Sequence, residues 1–101
     1  MDSERDSPLE TRLVRVRGLV QGIGYRHACV QHARKAGLTG WVRNRMDDSV
    51  EALLQGPRSE VERMCDWMRE RVPGARVDAI DVTDVPPPFA RFDHFEQQPT
   101  V

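Results

Sequence analysis

The segment Gly18-Leu19-Val20-Gln21-Gly22-Ile23-Gly24-Tyr25-Arg26 most constrains what this chain can fold into. Before it stands Leu13 to Arg17, a run rich in β-branched residues that reads as a strand. After it, from Arg26 to Ala36, the positions Cys29, Val30, Ala33 and Ala36 recur at helical spacing, and Gly37 supplies a stop. A strand must therefore become a helix within a few residues. Glycines at 18, 22 and 24 permit that turn and let a bound group approach the backbone closely. Amides in such a loop would point inward and form an anion site ending at a helix N-terminus. Arg26 adds a planar, permanently charged fork able to grip two phosphate oxygens. A tight turn alone would also explain the glycines; the arginine at the helix start favours the anion site. No Lys-Ser or Lys-Thr follows Gly22 or Gly24, which excludes a Walker loop. His27 stands where a dinucleotide fingerprint needs its third glycine.

The remaining chain alternates in the same compact manner. Thr39 to Asn44 and Val50 to Gln55 read as strands, with Arg45 to Ser49 short enough for a hairpin connection. Beyond Gly56-Pro57, Ser59 and Glu62 match a capping box, and Val61, Met64, Cys65, Met68 and Val72 form one helical stripe ended by Pro73-Gly74. Arg76 to Val85 predicts a fourth strand. Pro86-Pro87-Pro88 then breaks the chain before an edge piece from Phe89 to Phe95. The order βαββαβ predicts an α+β fold, a ferredoxin-like sandwich with two helices on one face of an antiparallel sheet. Residues 1–11 read as a flexible polar tail and 12–97 as the domain.

Charge and length narrow the function. One hundred and one residues make a single domain, and 15 basic against 16 acidic residues give a net charge of −1. This balance argues against nucleic-acid or membrane-surface binding. No apolar run approaches the ~20 residues of a bilayer span, and the polar N-terminus is not a secretion signal. Cys29 and Cys65 fall on apolar helix stripes, so free buried thiols and a cytoplasmic location are expected.

A second cluster reads Gly40-Trp41-Val42-Arg43-Asn44, followed by Asp47-Asp48-Ser49-Val50 and Gly56. Asn44 carries a carboxamide that can hold a water in a fixed orientation. Equally, asparagine at a strand end can open a hairpin turn through local backbone bonds. Both readings stand on the residues alone. Together, the Val20-Gln21-Gly22-Ile23-Gly24-Tyr25-Arg26 loop and the Gly40-to-Asn44 strand resemble the two signatures of the acylphosphatase family, in order and separation, over about Leu13 to Phe95.

That resemblance implies a ferredoxin-like, metal-free and cofactor-free hydrolase that cleaves acyl phosphates into a carboxylate and inorganic phosphate. It places the phosphate-binding arginine on Arg26, the water-positioning asparagine on Asn44, and the phosphate-binding amides on Leu19 to Tyr25. Three positions depart from the family pattern. Asp48 stands where glycine is common, and Arg45-Met46 replaces a pair that is often apolar-Pro. The substrate it implies is a small molecule, nothing marks which acyl group is taken, and a domain of this size is expected to be a monomer.

Other candidates carry less. His27, Cys29 and His32 crowd the first helix, but His27 points away and no fourth ligand has zinc spacing. Cys29 lies where a thiol is inert rather than nucleophilic. Asp78, Asp81 and Asp84 read as a solvated strand edge, Trp41 and Trp67 as packing residues, and Arg15, Arg17 and Arg43 as an exposed face that could draw anions inward. Two alternatives remain: a non-catalytic anion-binding module, which needs no water-holding amide, and a carbamoyl-phosphate-handling domain of larger hydrogenase-maturation proteins. A 101-residue chain without attached zinc-finger or transferase regions counts against the latter.

Overall fold

A computed structural model describes residues 9–101. Seven elements follow in order: β1 (Leu9–Leu19), α1 (Tyr25–Lys35), β2 (Thr39–Asn44), β3 (Val50–Pro57), α2 (Arg58–Glu70), β4 (Arg76–Asp84) and β5 (Phe95–Gln97). The sheet order is β4-β1-β3-β2-β5. Its four long strands pair antiparallel, and β5 joins β2 in parallel, so the sheet is mixed at that edge.

Period-two burial decides which face the helices cover. Val14 and Val16 of β1, Val42 of β2, and Val50, Ala52 and Leu54 of β3 are all buried and share one face. Tyr25, Cys29 and Ala33 of α1, and Val61, Met64, Cys65 and Met68 of α2, close on that face as one core. The expected helical stripes are thus the packing faces, with Val30 and Ala36 at the margin of the core.

Several expected boundaries move. β1 begins at Leu9, inside the expected tail, because Leu9, Glu10 and Thr11 pair with Pro57, Gly56 and Gln55. Residues 1–8 of that tail lie outside the described residues. Ser59 does not take the expected cap position. β3 runs directly into α2, so Pro57 occupies the cap position and offers no side-chain hydrogen bond. Ser59 lies within the first turn, and Glu62 instead pairs with Arg58 at 3.1 Å. The terminal strand also lies later than the expected Phe89 to Phe95, at Phe95–Gln97.

The connection to β5 crosses the face away from the helices. Gln55, pointing to that face, donates to the carbonyl of Ala90 at 2.7 Å and accepts from the amide of Phe92 at 3.1 Å. It also donates to Thr11 Oγ1 at 3.0 Å, so this buried carboxamide is well satisfied. The crossing delivers Phe95, fully buried, to the outer side of β2.

Gly40 shows why the β2 edge needs a glycine. Its φ is 129°, and a Cβ there would meet the Leu53 carbonyl oxygen at 1.9 Å. Among the described residues, no helix is long and apolar enough to cross a membrane.

Candidate active site

Strand direction assembles the site. β1 and β2 both run antiparallel to β3, which lies between them, so their C-terminal ends reach the same end of the sheet. β5 is parallel to β2 and ends there too. Val16 and Asn44 both pair with Val50, which aligns the loop after β1 with the last residue of β2. A chain whose three strands point one way gathers its loops at their carboxyl ends, a recurrent position for ligands in α/β sheets.

The loop enters α1 through Gly24, which adopts a left-handed conformation (φ 80°, ψ 18°) as the N-cap. The first helical bond runs from the Ala28 amide to the Gly24 carbonyl at 3.0 Å. The amides of Tyr25, Arg26 and His27 therefore have no partner within the helix and remain available to an anion. No acidic side chain stands in the first turn, while His32, Arg34 and Lys35 stand in the last. Both distributions suit the helix dipole.

A cleft of about 120 Å³ opens at this helix start. Val20, Gly22 and Gly24 line it from the loop, Tyr25, Arg26 and His27 from the first turn of α1, Asn44 from β2 and Gln97 from β5. Leu19, Gln21 and Ile23 do not line it. Leu19 ends β1 and is half exposed, and Ile23 packs against the core. Tyr25 contributes through its backbone, because its buried hydroxyl donates to the Met68 carbonyl at 2.7 Å. Burial pushes that hydroxyl's pKa well up, so Tyr25 remains a neutral anchor of the loop on α2.

Asn44 shares the strand face of Val42 and so points toward the helix side. Its Oδ1 is buried and, among the described residues, finds no hydrogen-bond partner. An acceptor left in that state costs on the order of 1–3 kcal/mol unless a bound donor satisfies it. This oxygen is therefore not spent on the hairpin. The turn holds itself, with Arg45 donating to the Ser49 carbonyl at 2.8 Å and Asp48 donating to the Arg45 carbonyl at 3.1 Å. Asp47 accepts from the Ser49 amide at 3.0 Å and from the Ser49 hydroxyl. These two bonds, with the Arg17 ion pair, hold the Asp47 carboxyl down at about 2.

Behind the site, on the open sheet face, Glu51 is buried amid Arg15, Arg43 and Arg45 at 3.1, 2.8 and 3.3 Å. Burial alone would raise the Glu51 carboxyl. Hydrogen bonds from Arg43 and Arg15 outweigh it and hold the group below its usual range. The arginines expected on an exposed sheet face are ion-paired there: Arg15 and Arg43 with Glu51, Arg17 with Asp47 at 3.2 Å. Arg43 also lies 4.4 Å from the centre of the Trp41 ring.

The remaining candidates separate in space. Cys29 is fully buried and burial pushes its thiol up, while His32 stacks on Trp67 at 4.1 Å and His27 lies at the cleft. Among the described residues, no three His, Cys, Asp or Glu side chains come together as a metal-ligand group. Asp78, Asp81 and Asp84 are exposed along β4. A larger hollow of about 480 Å³ beside Trp67 balances Arg63 and Arg71 with Asp66 and Glu70 and has no free helix start. Sequence reading missed Gln97, whose position depends on the parallel docking of β5. It considered His27 only as a metal ligand, although its place next to Arg26 at a helix start was a usable signal.

The acylphosphatase family model matches residues 13–96. Acylphosphatase 1 of Ralstonia nicotianae is 63% identical over 92% of this chain and 91% of its own length. An acylphosphatase structure from Coxiella burnetii superposes with a TM-score of 0.85 at 26% identity, covering 97% of this chain and 100% of that one. One from Bacillus subtilis gives 0.81 at 32% identity over 90% and 99%. With its fold, its loop and its Arg26–Asn44 cleft, the chain belongs to the acylphosphatase family.

Proposed function

We propose that this chain hydrolyses acyl phosphates to a carboxylate and inorganic phosphate, using Arg26 and the loop amides to bind phosphate and Asn44 to orient the attacking water. The observation that carries this reading is one small cleft containing a free helix start, an arginine and an unpartnered carboxamide oxygen. Its size suits a phosphoryl group, so the acyl part would extend past His27 and Gln97.

The chemistry matches these parts. A carboxylate is a stable leaving group near neutral pH, so the leaving oxygen needs little help from a general acid. The barrier lies in bringing water to a phosphorus screened by anionic oxygens. Helix-start amides and the Arg26 fork neutralise those oxygens and stabilise transition-state charge. Asn44 Oδ1 accepts a hydrogen bond from the water and fixes its line of approach, a positional contribution. The water's proton passes to a phosphate oxygen, a route that requires no separate base. Two buried free thiols agree with a cytoplasmic setting.

Hydrolysis of benzoyl phosphate in chelator by the wild type, Arg26→Ala and Asn44→Ala tests this assignment. Arg26→Ala should raise the inhibition constant of phosphate and lower kcat/KM by about a hundredfold or more. Asn44→Ala should lower kcat with phosphate inhibition nearly unchanged. An Asn44→Ala enzyme that turns over normally would remove the water-orienting role. Phosphate binding without turnover in the wild type would favour the non-catalytic module, for which the unpartnered Asn44 oxygen has no use.

A further inference from the structure

The side chain of Gln21 does not face the cleft. Its Nε2 donates to the Arg45 carbonyl at 2.9 Å and to the Ser49 carbonyl at 2.8 Å. Those two residues close the β2–β3 hairpin immediately beyond the Asn44–Val50 pair. Both carbonyls also serve the turn itself, accepting from Asp48 and Arg45 respectively. One amide group therefore bolts the loop that precedes Arg26 to both sides of the turn that follows Asn44.

We propose that Gln21 is a positioning residue, coupling the phosphate loop to Asn44 so that bound phosphorus and oriented water stay in line. This rests on the hydrolytic reading above. Loop and hairpin are separate in sequence, and no hydrogen bond joins the Arg26 and Asn44 side chains. In-line attack tolerates little relative displacement, since misplacement of about 1 Å costs on the order of a hundredfold in rate. The hairpin has particular need of an outside tie: Asp48 sits at φ 72°, a strained position for a residue other than glycine. Two hydrogen bonds to adjacent carbonyls define the hairpin's place against the loop, a constraint that one bond would leave free to pivot.

Gln21→Leu keeps the side-chain bulk and removes both donors. The expected result is a kcat lowered at least about tenfold, with KM and the phosphate inhibition constant within about twofold of wild type. A merely structural role would instead lower thermal stability without this split, or move kcat and phosphate affinity together. Hydrogen exchange with inorganic phosphate as probe gives a readout independent of turnover. Phosphate should slow exchange of the Arg45 and Asp48 amides in the wild type and leave them unchanged in Gln21→Leu. Turnover preserved in Gln21→Leu, or phosphate protection that is the same in both proteins, overturns the positioning role. No turnover in the wild type overturns the hydrolytic reading itself and the positioning role with it.

Discussion

At the scale of single residues, the fork of Arg26 and the strain of Asp48 lead to separate predictions. A guanidinium engages two phosphate oxygens in one plane, whereas an ammonium acts as a point charge. Arg26→Lys should therefore keep net charge yet lose about 2–3 kcal/mol of transition-state stabilisation, read as kcat/KM for benzoyl phosphate. Activity within about twofold of wild type would show that charge alone suffices. Asp48 adopts φ 72°, the region that glycine enters without a Cβ penalty. Asp48→Gly should raise unfolding free energy by up to about 1 kcal/mol, partly offset by greater freedom of the unfolded chain, as measured by urea denaturation. Both residues were legible in the sequence, one by its place at a helix start and one by its departure from a familial glycine. The amide bolt of Gln21 was not. Its two acceptors are backbone carbonyls, which leave no residue-type signal and meet it only after the sheet has formed.

At the scale of elements, a buried carboxylate ties β1, β2 and β3 together on the open face, beside the cross-strand row of Leu13, Leu53 and Trp41. Glu51 holds Arg15 of β1 and Arg43 of β2 on either side, with Arg45 of the turn above. Removing the negative charge leaves three half-buried arginines facing one another. Glu51→Gln should cost about 1–3 kcal/mol at pH 7, less than a fully buried broken pair because the arginines retain some solvent. The pH dependence has a definite sign. The folded-state carboxyl lies below its ordinary value, so its contribution is fully present above the unfolded pKa of about 4.3 and is lost as pH falls through the lowered folded value. Urea titrations from pH 7 down should show the gap between wild type and Glu51→Gln narrowing only below that point. A gap constant with pH would mean that glutamine fails for its shape. The helices were readable from periodicity because each buries one regular face, and the four long strands from runs of β-forming residues between turn signals. The start of β1 and the missing cap of α2 were not, since Leu9 to Thr11 follow their partner strand and Pro57 belongs to β3 as much as to the helix.

At the scale of the molecule, the last strand completes both the core and the site, and its position had little local signal. β5 has three residues, of which only Phe95 is buried, and its partner β2 is more than fifty residues earlier in the chain. A crossing over the open face brings it there, pinned by Gln55 on the way and by Arg34, whose Nε donates to the Phe95 carbonyl at 3.0 Å. The chain beyond continues along β2: Gln98 donates to the Val42 carbonyl, Val101 to the Asn44 carbonyl, and Met46 to the Val101 carbonyl. The backbone on both sides of Asn44 is thus held by the C-terminal segment as well as by β3, and Gln97 reaches the cleft through the same docking. Phe95→Ala empties a fully buried aromatic site and should cost about 3–5 kcal/mol in urea denaturation. Because the strand is short and terminal, part of that loss should appear as local release before global unfolding. The Gln98 and Val101 amides should then exchange faster than the helix amides in Phe95→Ala, and kcat should fall in the fully folded variant while α1 and its phosphate-binding amides remain in place. If kcat per folded molecule equals wild type, the C-terminal strand supports the fold alone and Asn44 is held sufficiently by β3 and Gln21.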